Sequence, residues 1–173
     1  MQKIFEGNRG EIFLIDYFDQ KAILKKQKRD KPNTIHNEIK MLQKLQPLGI
    51  VPKIYEYGSD YIVMEYIEGI SMKEALKRNK KRALRLALEI GYILDKAHIW
   101  HTELGRYYHL IFDQKLKKCK VIDFERAKES SRPRNLLQIV GFYCKEYDLK
   151  EAIELYKKEK SAGYKKMIEA LDV

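Results

Sequence analysis

Glu38 is the residue whose placement first demands a partner. Ile35, Leu42 and Leu45 fall along one face of a helical segment, and Glu38 shares that face, three residues on from Ile35. A carboxylate on an inward face is costly unless it meets a cation. Lys25 closes a β-type run just upstream and, by alternation, lies on the face of Ile23. A strand lysine held by a helix carboxylate is an ammonium in a fixed place, suited to the α- and β-phosphates of a nucleotide. The plainer alternative is that Glu38 reaches past its neighbours to solvent. Asp123 follows the β-type segment Lys120-Val121-Ile122. An aspartate just past a strand end can reach a cleft and ligate Mg²⁺ through oxygen, the hard donor that ion prefers.

Three further stretches carry weaker chemistry. Gly7-Asn8-Arg9-Gly10-Glu11-Ile12 permits a tight turn with backbone N–H groups facing a phosphate, although such glycines also mark ordinary hairpins. Tyr61 to Gly69 runs an apolar strand into a short polar crossover, whose backbone groups suit a purine edge or simply leave the sheet. His101-Thr102-Glu103-Leu104 follows an apolar helix directly, where a loop begins. His98, His101 and Glu103 do not have the spacing of the zinc-binding helix motifs.

The elements that must position these residues are legible as a change of period. Gly10 to Phe18 and Lys21 to Lys25 are rich in β-formers, with Asp19-Gln20 as the turn between them. A helix is expected from Thr34 to about Leu45, then strands over Lys53 to Tyr57 and Tyr61 to Tyr66. Past Gly69 the pattern turns helical. Met72 to Arg78 is short, and Ala83, Ala87, Ile90, Leu94 and Ala97 form a long buried face. Leu110 to Phe112 and Lys120 to Ile122 predict a short hairpin. The chain is helical again from Asn135, with Gly163 expected to interrupt before a final amphipathic turn or two. A sheet-rich part followed by a helical part is an α+β arrangement, with the joint near Glu65 to Gly69.

Composition narrows the class. The chain has 173 residues, 45% of them hydrophobic, enough for one sizeable core or two small lobes. Its apolar runs, such as Ile62-Val63-Met64, are too short to span a bilayer, and the first residues lack a secretory apolar stretch, so no membrane partner is expected and the cytosol is the expected place. Cys119 and Cys144 have no metal-ligand spacing and read as reduced, partly buried thiols. A net charge of +10 favours polyanionic partners or a solvated lysine-rich surface. The stretch Lys115, Lys117, Lys118, Lys120, Arg126, Lys128, Arg132 and Arg134 would recruit RNA or an acidic partner on the first reading.

The order of these features resembles the protein-kinase superfamily from about Ile4 to Ala127: glycine loop, strand lysine, helix Glu-x-x-x-Leu-x-x-Leu, Val-Met-Glu-Tyr crossover, long helix, His-x-acid-Leu and Val-Ile-Asp-Phe. Its brevity looks most like the small atypical kinases of RIO type and the small archaeal kinases predicted to act on Ser/Thr. The resemblance implies a two-lobed protein-kinase-like fold. An antiparallel β-sheet N-lobe with one helix would span 1–68, and a truncated, mostly helical C-lobe 69–173, as one domain. It implies ATP and Mg²⁺ as cofactors and phosphoryl transfer to a hydroxyl as the activity. Gly7 and Gly10 match the second and third loop glycines, Ile12 the following valine, Lys25 the strand lysine and Glu38 its helix partner. Phe5 stands at the first glycine. Met64 falls at the gatekeeper position and Glu65 to Ile67 at the adenine-binding hinge. Asp123 matches the metal-binding aspartate.

The sequence departs from that pattern in the catalytic loop. Glu103 stands where the family has aspartate, one methylene longer but still able to accept a hydroxyl proton. The asparagine expected five residues later is replaced by Tyr108, with His109 next, which leaves His109 as a candidate for metal or phosphate. Glu125 replaces the usual glycine, and Ser130 to Arg134 stands in for an extended activation segment. Two functions are therefore expected: an atypical Ser/Thr phosphotransferase, or a nucleotide-binding pseudokinase acting as an RNA- or protein-binding adaptor.

Overall fold

Alternating β-branched and aromatic residues build an antiparallel sheet in the first third of the chain. The computed structural model describes residues 1–7 and 10–172. Five strands, β1 (Gln2–Glu6), β2 (Gly10–Tyr17), β3 (Gln20–Gln27), β4 (Ile54–Tyr57) and β5 (Tyr61–Glu65), lie in the order β1-β2-β3-β5-β4. Helix α1 (Ile35–Leu45) buries Ile35, Ile39, Met41, Leu42 and Leu45, with Glu38 among them. These elements and Lys120–Ala127 form one compact unit, Met1–Glu68 plus that short segment.

Two details of the sheet differ from expectation. The β2–β3 turn is Phe18-Asp19, one residue earlier than Asp19-Gln20, and both residues have positive φ (47° and 66°). A two-residue hairpin of this hand needs left-handed backbone at both central positions, and the full pairing of Tyr17 with Gln20 fixes the register. Strand β1 is implied by the glycine turn at Gly7 to Gly10 but has no signal that sets its range. All of its residues are exposed, so it has no apolar face to reveal it, and it is held by backbone pairing to β2 and by Lys3 against Glu11 at 2.5 Å.

The second unit comprises Gly69–Cys119 and the chain from Lys128 on. Helix α2 (Met72–Arg78) begins at Ser71, whose side chain accepts the Glu74 N–H, and α3 (Lys80–Lys96) begins at Asn79, which accepts from Arg82. These caps separate the short helix from the long one, at the bounds the sequence pattern predicts for Met72 to Arg78. Strand β6 (Ile70–Ser71) pairs with β8 (Leu110–Phe112), and β7 (Ile99–Trp100) pairs with β10 (Lys128–Glu129). Strand β9 (Cys119–Val121) carries the chain from this unit into the first. Helices α4 (Asn135–Tyr143), α5 (Lys150–Lys158) and α6 (Lys160–Leu171) complete the unit. Cys119 and Cys144 are both buried and not joined in a disulfide, and burial pushes the Cys144 thiol up to about 11. Among the described residues no helix is long and apolar enough to cross a membrane.

Gly163 does not interrupt. It lies inside α6, and a Cβ there would stand 2.3 Å from both the N and the Cα of Tyr156 on α5. The missing side chain is what lets the two helices touch backbone to backbone. Gly163→Ala therefore meets main chain that cannot rotate away, and should lower the unfolding free energy by about 1–3 kcal/mol despite alanine's better helix propensity. Urea unfolding of the variant checks this.

Candidate active site

In the first unit everything converges on Lys25. β3 sends it to the side covered by α1, where its Nζ lies 2.9 and 3.2 Å from the two carboxylate oxygens of Glu38. Lys25 is 7% exposed and Glu38 fully buried, so the inward carboxylate does meet its cation. Glu38 Oε2 also accepts the Phe124 N–H at 2.8 Å. Two more carboxylates face the same ammonium, Asp123 Oδ1 at 3.7 Å and Glu125 Oε1 at 3.6 Å. Burial pulls the Lys25 pKa down, but Glu38, Asp123 and Glu125 outweigh it and hold the ammonium above its ordinary value. Glu125 moves up from the usual carboxylate range, through burial first and then the neighbouring charges of Asp123 and Glu38, against the pull of Lys25.

The backbone around Asp123 is held in an uncommon state. Asp123 has φ of 68°, in the left-handed region. Phe124 is fully buried next to it. Asn37, one position before Glu38 on α1, donates through Nδ2 to the carbonyls of Phe124, Glu125 and Ala127 at 3.4, 3.0 and 2.8 Å. One helix turn thus places both the partner of Lys25 and the clamp on the loop that carries Asp123.

The other predicted nucleotide residues sit on the same sheet. Ile12 lies opposite both Lys25 and Phe5 in register. The Gly7 N–H donates to the Gly10 carbonyl at 2.9 Å, and a Cβ on Gly10 would stand 2.6 Å from the Lys26 carbonyl, so this glycine is required by strand approach alone. The loop tip, Asn8-Arg9, lies outside the described residues. Met64 is buried between Ile23 and Ile54 in register. Glu65 ends β5, accepts the Lys53 N–H through its carboxylate at 3.1 Å, and faces Lys120 at 3.6 Å. Ile67 follows, half-buried.

The second unit holds Glu103 and His109 in one loop. The His101 N–H donates to Asn135 Oδ1 at 2.9 Å, and the ring accepts the Glu103 N–H on Nδ1 at 3.2 Å. His109 is 2% exposed and donates from Nδ1 to the Glu103 carbonyl at 3.0 Å. Gln138 donates to the Thr102 carbonyl at 3.1 Å. Between them Thr102, a β-branched residue, is held at φ of 77°, a strain of about 1–3 kcal/mol that persists only where the surroundings over-determine it. The Glu103 carboxylate meets Arg106 Nε at 3.1 Å, and Arg106 in turn donates to the Tyr108 hydroxyl at 2.8 Å.

Hard oxygen donors are what Mg²⁺ takes, commonly one or two protein carboxylates with phosphate oxygens and water completing the shell. Asp123, with its side chain 35% exposed beside the buried Lys25, fits that role. Among the described residues no group of three or more His, Cys, Asp or Glu side chains converges as a self-sufficient metal site.

Three residues that support these loops are not singled out for any role by the sequence: Asn37 in the first unit, and in the second Asn135 with the buried carboxylate it donates to, Asp95. Asn37 had a signal, being an asparagine inside a helix, where it is unfavourable unless its side chain is used. Asp95, fully buried on α3, had the same kind of signal as Glu38. Asn135 had none beyond its place at a helix start.

A family model for the RIO domain matches residues 15–167. The dual specificity protein kinase zakA of Dictyostelium discoideum is 33% identical over 101 residues, 51% of this chain and 12% of that protein. A probable serine/threonine-protein kinase of Clostridium acetobutylicum is 33% identical over 92 residues, 47% of this chain and 14% of that protein. The chain thus spans a small part of the length of either relative. An antiparallel sheet with one helix, followed by a helical part, is consistent with a small kinase-like fold, and the match over most of its length makes this chain a member of the RIO domain family.

Proposed function

We propose that the chain binds ATP with Mg²⁺ and transfers the terminal phosphate to a hydroxyl, as an atypical Ser/Thr protein kinase. The observation that carries this is the buried Lys25 held bidentately by Glu38, with Asp123 at 3.7 Å from the same ammonium. Lys25 would hold the α- and β-phosphates, and Asp123 would hold the metal, which when bound neutralises phosphate charge. Gly7, Gly10 and Ile12 would line the phosphates, and Met64, Glu65 and Ile67 the adenine. Glu103 would accept the hydroxyl proton. By its place in the sequence His109 is a candidate metal or phosphate ligand, but its burial and its Nδ1 bond to the Glu103 carbonyl favour a role in shaping that loop. Residues 1–68 and 69–173 are read as the two lobes of one kinase-like domain.

A second reading, nucleotide binding without transfer, draws on one feature. The Glu103 carboxylate is engaged with Arg106, and the following loop offers Tyr108 where an amide would stand. In that reading the basic stretch from Lys115 to Arg134 serves an RNA or acidic protein partner.

Single-turnover transfer from γ-labelled ATP separates the two. Wild type should label an acceptor or itself, and Asp123→Ala should lose the label. Equal background in both would sink the phosphotransferase reading, and saturable ATP binding without label would establish the second.

A further inference from the structure

A chain of buried hydrogen bonds joins the C-terminal helices to the loop that carries Glu103. The Tyr156 hydroxyl on α5 donates to Asp95 Oδ2 at 2.5 Å. Asp95 Oδ1 accepts both the backbone N–H and the side-chain Nδ2 of Asn135, each at 2.9 Å, and Leu136 N–H lies 3.4 Å from Oδ2. Asn135 Nδ2 also donates to the Ile99 carbonyl at 2.6 Å, while its Oδ1 accepts the His101 N–H. Asp95 and Asn135 are both fully buried.

The polarity of this chain matters. A carboxylate accepts only, so Asp95 forces the amide nitrogen of Asn135 toward itself and the amide oxygen toward His101. Turning the amide over would set oxygen against oxygen at Asp95 and at Ile99. The orientation that receives the His101 N–H is therefore set jointly by Asp95 and by the Ile99 carbonyl. Asp95 is itself oriented by Tyr156, whose backbone is fixed by the close seat of Gly163. At the far end, His101 holds the Glu103 N–H, next to the strained Thr102.

The geometry points to Tyr156 as a positioning residue for Glu103, acting through Asp95 and Asn135 on the 99–109 loop. Its effect on turnover rests on the phosphotransferase reading above; its effect on the loop does not. Without the hydroxyl, Asp95 Oδ2 keeps only the long Leu136 contact among these bonds, the carboxylate is anchored through Oδ1 alone, and its grip on the Asn135 amide loosens.

The test is Tyr156→Phe in the full chain, with Met167→Ala as the comparison. Met167 is fully buried on α6 and takes no part in these hydrogen bonds, so its truncation is a loss of packing in the same helical unit that leaves the bonds themselves in place. Three quantities are read well below the melting temperature of each: hydrogen exchange of the His101 amide, kcat and the affinity for ATP. Tyr156→Phe should speed His101 exchange and lower kcat, each by about tenfold or more, with ATP affinity within about twofold of wild type. Met167→Ala should lower the melting temperature with neither effect. Unchanged His101 exchange in Tyr156→Phe overturns the inference, as does an equal loss in both variants. If the wild type transfers no phosphate, the catalytic reading fails, and His101 exchange alone decides whether Tyr156 positions the loop.

Discussion

Lys25→Met should cost about 3–5 kcal/mol of unfolding free energy, among the largest effects of any single change in the chain. The reason is what it leaves behind. Glu38 is fully buried, and without Lys25 its two oxygens retain the Phe124 N–H at 2.8 Å but lose their cation. Asp123 and Glu125 lose the same counter-charge, and with their side chains 35% and 29% exposed they find partial relief in water that Glu38 lacks. The double variant Lys25→Met/Glu38→Leu removes both buried charges and should recover most of that stability, because apolar groups of similar volume replace such pairs at little or no net loss. ATP binding should stay lost in both. Urea unfolding beside nucleotide titration checks the pattern. Stability and binding recovering together in the double variant would mean that the pair serves the fold alone.

That dissociation bears on why this site could be anticipated in part. Glu38 was visible because helical period placed it among Ile35, Leu42 and Leu45, and Lys25 because strand alternation placed it with Ile23. Both are local inferences over a few residues, and the structure brings the two side chains to 2.9 Å. The approach of Glu125 to Lys25 was not visible, since it depends on how residues 123–127 are turned by Asn37 across more than 80 positions of sequence. The same limit hid the Asp95–Asn135–Tyr156 bonds. Their parts sit 40 and 61 positions from Asp95, and no local pattern joins them. Gly163 shows the opposite error. A glycine in a helical stretch reads as a break by propensity, yet here tertiary contact with Tyr156 outweighs about 1 kcal/mol of local preference. The extent of β1 and the exact β2–β3 turn are illegible for a simpler reason: an exposed edge strand has no buried face, and a phenylalanine in left-handed backbone is not a usual turn residue.

The change most telling for mechanism is Glu103→Gln. It should leave ATP affinity unaltered and lower transfer by about 10²–10⁴-fold, the usual contribution of a positioned general base. The substitution is nearly isosteric, and glutamine keeps an oxygen to accept from Arg106, so the loop geometry at 3.1 Å need not change. What is lost is the capacity to take a proton. Arg106→Ala then completes the argument. If the Arg106 contact draws the carboxylate away from the reacting hydroxyl, releasing it should raise transfer; if it orients the carboxylate, releasing it should lower transfer while Glu103→Gln remains the more severe. Transfer that survives Glu103→Gln intact would show that the proton leaves by another route, and the long side chain at this position would then be a loop-shaping residue like His101 and His109, whose rings already hold its backbone from both sides.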